Sequence, residues 1–287
     1  MRRGLPRAAL CCAAILLAAA AAKPVAAETL LERGDYLVNG IGNCGNCHSP
    51  QGPSGALVGP PLSGGGAIQS PSFTVYTPNL TPDGDTGLGH WTENQIVTAL
   101  REGRTPAGRM LRPPMPVAFY RGLSDRDAHA IAVYLRSLPP VRNKLPDSHY
   151  SRPVPASYGG PVGRIPDPDR TDKVAYGRYL AQLGHCMLCH TPRDAEGRPD
   201  IAHRIGAGGV ELNGVFGEIV TPNITPDTKS GIGQWTDQQI KDALTIGTRP
   251  DGSLLASPMP WRYLARLTNQ DLDALVAYLR SLKPVAQ

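Results

Sequence analysis

Two pentapeptides of the sequence combine two thiols with an imidazole at the same spacing: Cys44-Gly-Asn-Cys47-His48 and Cys186-Met-Leu-Cys189-His190. Cysteines three residues apart on a helical turn project to one side, and the histidine that follows lies beside them. Two thiols so placed can bond to the two vinyl edges of a porphyrin while the imidazole binds the iron. The pattern therefore predicts two covalently bound haem c groups.

Taken singly, such a motif is also found as a redox-active dithiol or as half of a zinc site. A zinc site needs four converging ligands, and each half of the chain offers one cysteine pair with no second Cys-x-x-Cys or His-x-x-x-His. A thioredoxin-like dithiol would lie on a βαβ frame, which the sequence does not indicate. Haem attachment is the interpretation that both copies favour.

The whole chain repeats around these motifs, with an offset of 142 residues at the cysteines and 144 at the tryptophans. Such a period is too long for a solenoid and is typical of a duplicated domain. Each half therefore has its own set of parts. The matched segments are Gly34-Asp-Tyr-Leu37 with Gly177-Arg-Tyr-Leu180, Thr77-Pro-Asn-Leu-Thr-Pro-Asp83 with Thr221-Pro-Asn-Ile-Thr-Pro-Asp227, Gly87-Leu-Gly-His-Trp91 with Gly231-Ile-Gly-Gln-Trp235, and Pro114-Met-Pro116 with Pro258-Met-Pro260.

A histidine-bound haem iron has a second axial position, and only two methionines recur in the repeat to fill it. Met115 and Met259 each lie between two prolines, whereas Met110 aligns with Leu254 and Met187 lies inside its own pentapeptide. Flanking prolines restrict the backbone and help to hold a flexible thioether in place. The alternative is that both are core methionines. Thioether ligation would raise the reduction potential and close the coordination site.

Other side chains are weaker candidates for a role at the haem. Trp91 and Trp235 are candidates to donate an indole N–H to a haem propionate, although a buried aromatic residue at a helix start explains them equally well. Arg104 and Arg249 are weaker propionate candidates still. The remaining histidines do not recur in the repeat and are interpreted as surface or loop residues: His90, His129, His149, His185 and His203.

The regular segments of each half have helical patterns. Thr92 with Gln95, and Thr236 with Gln239, have the spacing of a capping box. A closing helix in each half has apolar residues at i, i+3, i+4 and i+7. No useful alternating apolar pattern appears, so we expect an all-α protein with two tandem domains and long irregular loops. The expected organisation is a signal peptide at 1–27, domains at 28–140 and 172–287, and a Pro/Gly-rich linker at 141–171.

The chain begins with a basic segment followed by a small apolar run, the pattern of a cleaved export signal. The apolar run, Ala8 to Ala22, is shorter than the roughly 20 residues needed to span a bilayer, although retention as an anchor is the alternative. Cleavage after residue 27 removes four of 29 basic residues and no acidic one, which leaves 25 against 24 acidic residues. A near-neutral chain has no electrostatic reason to bind nucleic acid.

Together these motifs resemble the cytochrome c subunits of membrane-associated bacterial dehydrogenases for alcohols, gluconate, sorbitol and aldehydes. The resemblance implies class I cytochrome c domains, with His48 and His190 as proximal ligands and Met115 and Met259 as distal ligands. It also implies that a proline carbonyl in Gly59-Pro60-Pro61-Leu62 accepts the N–H of His48, for which the second half has no counterpart after His190. Familiar members have three haem units and often a C-terminal anchor, whereas this chain has two units.

The expected function is transfer of single electrons from a periplasmic or membrane-associated dehydrogenase to a quinone, another cytochrome or a terminal oxidase. The protein is then a periplasmic electron carrier without catalytic residues, either free or held at the membrane by a partner or an uncleaved signal. The alternative is a two-haem enzyme of the peroxidase type, which requires one open iron and hence unequal halves. Both halves keep the methionine and its prolines, which favours the carrier.

Overall fold

The computed structural model describes residues 1, 27–52, 56–70, 73–151, 153, 155–214 and 217–286. The predicted signal peptide lies almost entirely outside these described residues. Within the described ranges, no helix is both long enough and apolar enough to cross a membrane.

The two halves contain the same elements in the same order, as the repeat predicts. The first half comprises α1 Leu30–Asn39, α2 Cys44–His48, β1 Ala67–Ser70, β2 Phe73–Tyr76, α3 Glu93–Glu102, α4 Val117–Tyr120 and α5 Asp125–Ser137. A short strand follows, β3 His149–Tyr150. The second half comprises α6 Lys173–Leu183, α7 Cys186–Cys189, β4 Glu211–Gly214, β5 Gly217–Val220, α8 Asp237–Thr245, α9 Trp261–Leu264 and α10 Asn269–Ser281.

The prediction of an all-α fold is wrong, because about 33% of the described residues are in helices and about 10% are in strands or bridges. Strands β1 and β2 form an antiparallel hairpin, and β3 from the predicted linker pairs with β2. Strands β4 and β5 form a second hairpin at the corresponding place. Strands of four residues are too short to show a clear alternating pattern, and in β2 only the Val75 side chain is buried. The paired strands therefore have no clear alternation of apolar and polar residues in their sequences.

The predicted capping boxes are confirmed at the starts of α3 and α8. The Thr92 hydroxyl accepts a hydrogen bond from the Gln95 N–H at 3.2 Å, and the Gln95 side chain accepts one from the Thr92 N–H at 2.9 Å. Thr236 and Gln239 form the same reciprocal pair. These bonds satisfy amides that have no partner inside the helix, and so fix where each helix begins.

The first and last helices of each unit cross at a glycine. α1 packs on α5 and α6 packs on α10, where an added Cβ would lie 2.1 Å from the Ala130 carbonyl oxygen at Gly34 and 1.8 Å from that of Ala274 at Gly177. Only glycine allows the backbones to approach this closely. The crossing explains why this glycine occurs in both halves.

One apolar core runs through both units. Buried residues of α1 and α6 share the core with the closing helices, whose predicted apolar stripes are confirmed by buried Ile131, Leu135, Leu275 and Leu279. The predicted linker is mostly irregular and packs on the first unit. There the Gly163 carbonyl accepts a hydrogen bond from Arg101 at 3.0 Å, and the Tyr158 hydroxyl donates one to the Leu111 carbonyl.

Candidate haem-binding sites

Each motif histidine is oriented by a backbone carbonyl. His48 Nδ1 lies 2.8 Å from the Pro78 carbonyl oxygen, and His190 Nδ1 lies 2.9 Å from that of Pro222. A carbonyl oxygen only accepts, so Nδ1 carries the proton in both rings and the Nε2 lone pair is available for a metal. A histidine that binds a metal is normally held in this way.

The carbonyl expected from the resemblance, that of Pro60, does not take this role. It accepts instead from the hydroxyl of Ser63 at 2.8 Å, which closes the local turn. The prolines that contact the imidazoles lie in the repeated Thr-Pro-Asn segments, so the second half does have a counterpart, Pro222. The occurrence of Thr-Pro-Asn in both halves is the feature of the sequence that could have identified these prolines.

Burial keeps both imidazoles in the form that binds a metal. Desolvation lowers the pKa of His48 and of His190, and the hydrogen bond to the proline carbonyl opposes this shift only in part. His48 is 8% exposed. A neutral imidazole is the form that coordinates iron.

The four motif thiols are free and partly buried. Burial raises the pKa of Cys44 to about 12, of Cys47 to about 11 and of Cys186 to about 12, and it also raises the pKa of Cys189. A redox-active dithiol requires the opposite shift, because the thiolate is the nucleophile. The thiols therefore do not fit the dithiol alternative.

A buried asparagine fixes the loop that carries each proline carbonyl. The Asn79 amide donates to the Val141 carbonyl at 2.7 Å and to the Thr86 hydroxyl, while its oxygen accepts from the N–H and hydroxyl of Thr81. Asn223 makes the same four bonds, with Val285 in the place of Val141. The asparagine thus ties the histidine-holding loop to the chain that leaves the closing helix.

The two repeated methionines lie at corresponding places, each partly buried against the core and each just before a short helix. The Met115 N–H donates to the Arg112 carbonyl at 3.1 Å, and the Met259 N–H donates to that of Ala256 at 3.2 Å. Turns with the same bonding pattern therefore present both thioethers.

The closing helices hold the tryptophan segments through their arginines. The Arg136 guanidinium donates to the Trp91 carbonyl, and Arg280 donates to that of Trp235. The closing helices end in the same sequence, Tyr134-Leu-Arg-Ser-Leu138 and Tyr278-Leu-Arg-Ser-Leu282, and this contact gives its arginine a structural role that the sequence did not reveal. It also places the arginine at the start of the capped helix.

Three of the non-recurring histidines have partners away from the haem-binding motif histidines. His129 lies 3.4 Å from Glu93, His203 lies 2.9 Å from Asp200, and the His185 ring meets the Tyr120 ring edge-on. Among the residues that the structure describes, no three His, Cys, Asp or Glu side chains converge as a metal-ion site requires.

The residues present fit a covalently bound haem in each unit. Each unit contains two free thiols, an imidazole whose Nε2 is left available and a methionine loop. Such a duplicated set defines a c-type cytochrome with two haems. The chain belongs to the cytochrome c family, whose model matches residues 31–139 and 174–283.

Three curated relatives illustrate the similarity. The chain is 30% identical over 274 residues to the gluconate 2-dehydrogenase cytochrome c subunit of Pantoea cypripedii, covering 90% of this chain and 60% of that protein. It is 32% identical over 274 residues to the fructose dehydrogenase cytochrome subunit of Gluconobacter japonicus, covering 90% and 53%. It is also 32% identical over 262 residues to a diheme cytochrome c-type protein of Cereibacter sphaeroides, covering 85% and 83%.

The chain thus spans 60% or less of the two dehydrogenase subunits and most of the diheme cytochrome. The resemblance to dehydrogenase cytochrome subunits is confirmed, as are the two covalently bound haem c groups. The peroxidase alternative finds no support in these relatives.

Proposed function

We propose that this protein takes single electrons from the catalytic subunit of a dehydrogenase and passes them to a respiratory acceptor: a quinone, another cytochrome or a terminal oxidase. The observation that carries the proposal is the equivalence of the two sites. Both units hold the motif histidine against a proline carbonyl at nearly the same distance, and both present a methionine from a matching loop.

The proposed roles follow the repeat. Cys44 and Cys47 attach one haem and Cys186 and Cys189 the other. His48 and His190 are the proximal ligands, and Met115 and Met259 are the distal ligands. When bound, each haem supplies an iron that gains and loses one electron, and a methionine ligand raises its reduction potential.

Equivalent ligand sets favour transfer over catalysis. An enzyme that activates peroxide needs an iron with an open position, whereas a thioether at each iron leaves none. Because the two loops match, neither unit is marked out as the one with an open iron.

Export and membrane association are part of the same proposal. The basic and apolar N-terminal pattern supports export to the periplasm. Relatives named as dehydrogenase subunits support a place beside a catalytic subunit, which would hold the protein near the membrane.

The ligand assignment is tested on protein matured with its haem-attachment machinery. We expect two haems per chain, both low-spin, with the charge-transfer band of a methionine–iron bond in the oxidised state. Met115→Ala and Met259→Ala should each create one cyanide-binding iron and leave the other unchanged. Peroxide turnover by the unaltered protein, or cyanide binding by it as tight as in the methionine variants, would contradict the proposal.

The donor class is tested in washed membranes of the native bacterium that contain the protein. Ethanol, gluconate, sorbitol and fructose are added in turn, and haem reduction is followed optically. One of these substrates should reduce both haems, and deleting the gene should abolish oxygen uptake with that substrate. Unchanged oxygen uptake in the deletion strain with every substrate would contradict the proposed role.

A further inference from the structure

The methionine loop of the second unit contacts the haem-attachment helix of the first. The Asn46 side-chain amide donates a hydrogen bond to the Pro258 carbonyl oxygen at 3.2 Å. Asn46 lies between Cys44 and Cys47, and Pro258 directly precedes Met259. One hydrogen bond therefore joins the attachment segment of the first haem to the ligand loop of the second.

A tyrosine makes a second contact at the same place. Tyr263, in α9 just after the methionine loop, lies against Gly45 of α2, where an added Cβ would be 2.6 Å from the tyrosine hydroxyl and 3.2 Å from the ring. The Tyr263 side chain is half-buried at this contact, and Gly45 provides the space for its ring.

The corresponding hydrogen bond, from α7 of the second unit to the methionine loop of the first, is not possible. Met187 and Leu188 replace Gly45 and Asn46 in the second motif, and neither side chain can donate a hydrogen bond from its apolar end. The first methionine loop is instead tied through α4, where the Phe119 carbonyl accepts from Gln182 of α6 at 2.8 Å. That bond lies four residues beyond Met115 and does not involve the attachment helix α7.

We propose that Asn46 is a positioning residue for the second haem: by holding the Pro258 carbonyl, with Tyr263 seated on Gly45, it makes Met259 ligation depend on the attachment helix of the first haem. This inference rests on the proposed role of Met259 as a ligand. The hydrogen bond runs in one direction only, because Met187 and Leu188 give α7 no side-chain donor, although the Tyr120 ring of α4 meets the ring of His185 just before α7. A displacement of α2 therefore moves the Pro258 carbonyl, and with it the adjacent residue Met259 that is proposed to bind the second iron.

The test replaces Asn46 by the residue found at the same position of the second motif. In the oxidised holoprotein, Asn46→Leu should raise the cyanide affinity of the second haem about fivefold, the effect of losing one ordinary hydrogen bond, and should lower the potential of that haem. In the reduced holoprotein, NMR should show a shifted methyl signal for Met259 and an unchanged one for Met115. Gly45→Ala, which displaces Tyr263, should act on the same haem.

Asn94→Leu is the matched control, since Asn94 is exposed on α3 and far along the chain from either motif. It should leave both methyl signals and both cyanide affinities as they are. Equal changes at both haems, or no change at the second haem in either variant, would overturn the inference while leaving the ligand assignment intact. Absence of a ligated Met259 signal in the unaltered protein would instead contradict the proposed function.

Discussion

The hydroxyl of Tyr36 in the first unit donates a 2.6 Å hydrogen bond to the carboxylate of Asp271 in the second. The corresponding pair, Tyr179 and Asp127, makes the reverse connection at 2.7 Å. Each hydroxyl also accepts the N–H of a helix-capping residue, Thr268 or Ser124. The two units therefore join through an interface in which corresponding contacts are made in both directions.

The two sides of this interface differ at the position of Arg33. Arg33 forms a bidentate ion pair with Asp127 at 2.8 Å through both oxygens, and both side chains are 2% exposed. The position that matches Arg33 in the second unit is occupied by Tyr176. Asp127 thus has a buried cation beside it, whereas Asp271 accepts a hydrogen bond from the Tyr36 hydroxyl.

Removing each tyrosine hydroxyl should reveal this difference. Tyr36→Phe takes away the hydroxyl partner of Asp271 and should lower the free energy of unfolding by about 2 kcal/mol, typical of a hydrogen bond to a charged group. Tyr179→Phe leaves Asp127 with Arg33 and should cost about 1 kcal/mol. Denaturant unfolding of the two holoproteins measures both values. Equal losses of unfolding free energy in the two variants would show that Arg33 does not compensate Asp127 for the missing Tyr179 hydroxyl.

The Asp127 ion pair should also give the fold an acid-sensitive component. Burial raises the pKa of the Asp127 carboxyl, but the hydrogen bonds and charge of Arg33 outweigh it, so the pKa lies below its usual value. A carboxyl with a lowered folded-state pKa contributes stability above its unfolded pKa, about 4, and loses it as the pH falls through the folded value.

Asp127→Asn should therefore flatten the loss of stability below about pH 4. The variant should also be less stable at neutral pH by roughly 3 kcal/mol or more, because Arg33 keeps its buried charge without its partner. Urea unfolding of both proteins from pH 7 to pH 3 gives the comparison, and other groups that titrate in this range contribute equally to both. If the free energies of unfolding of the two proteins changed in parallel with pH, Asp127 would not be the group responsible for the acid sensitivity.

The sequence predicted the elements whose signals are local. A threonine and a glutamine three residues apart were enough to locate the starts of α3 and α8, because the capping bonds are made within four residues. The stripe that includes Ile131 and Leu135 located the closing helix for the same reason. The histidine motif likewise shows its chemistry within five residues.

Contacts between distant segments were not predictable in this way. The hairpins are too short and too polar to show an alternating pattern, so their pairing became visible only in the structure. Pro78 was missed because its role depends on a loop thirty residues after His48 folding back over it. Asn46 and Pro258 are 212 residues apart, and nothing in either segment alone indicates that they meet.

The asparagine of each Thr-Pro-Asn segment should stabilise only the haem site of its own unit. Asn79→Ala removes four hydrogen bonds from a side chain that is 2% exposed, and should lower the free energy of unfolding by about 2–4 kcal/mol. It should also loosen the Pro78 carbonyl and shift the potential of the first haem upward, because a weaker hydrogen bond makes His48 a poorer donor to iron. A redox titration resolves the two haems.

Asn223→Ala is the matched variant and should shift only the second haem. Any variant that moves both potentials equally would show that the loops are not independent. Unchanged potentials with lowered stability would show that the asparagine supports the fold without tuning the histidine.

The helix crossings provide a sharper test of packing. A methyl group at Gly34 or Gly177 would lie about 2 Å from a carbonyl oxygen of the partner helix, too close to be accommodated without separating the helices. Gly34→Ala and Gly177→Ala should each lower the free energy of unfolding by about 3 kcal/mol, since the backbone cannot move aside as a side chain can. Thermal unfolding of the holoproteins measures the loss.

Gly160→Ala is the control, because an added Cβ there meets no atom within 4 Å and the substitution should be almost neutral. Haem content should remain at two per chain in all three variants at low temperature, since the crossings lie outside the attachment motifs. If Gly34→Ala were as stable as Gly160→Ala, the close approach of α1 to α5 would be incorrect. A loss confined to Gly177→Ala would place that error in the first unit alone.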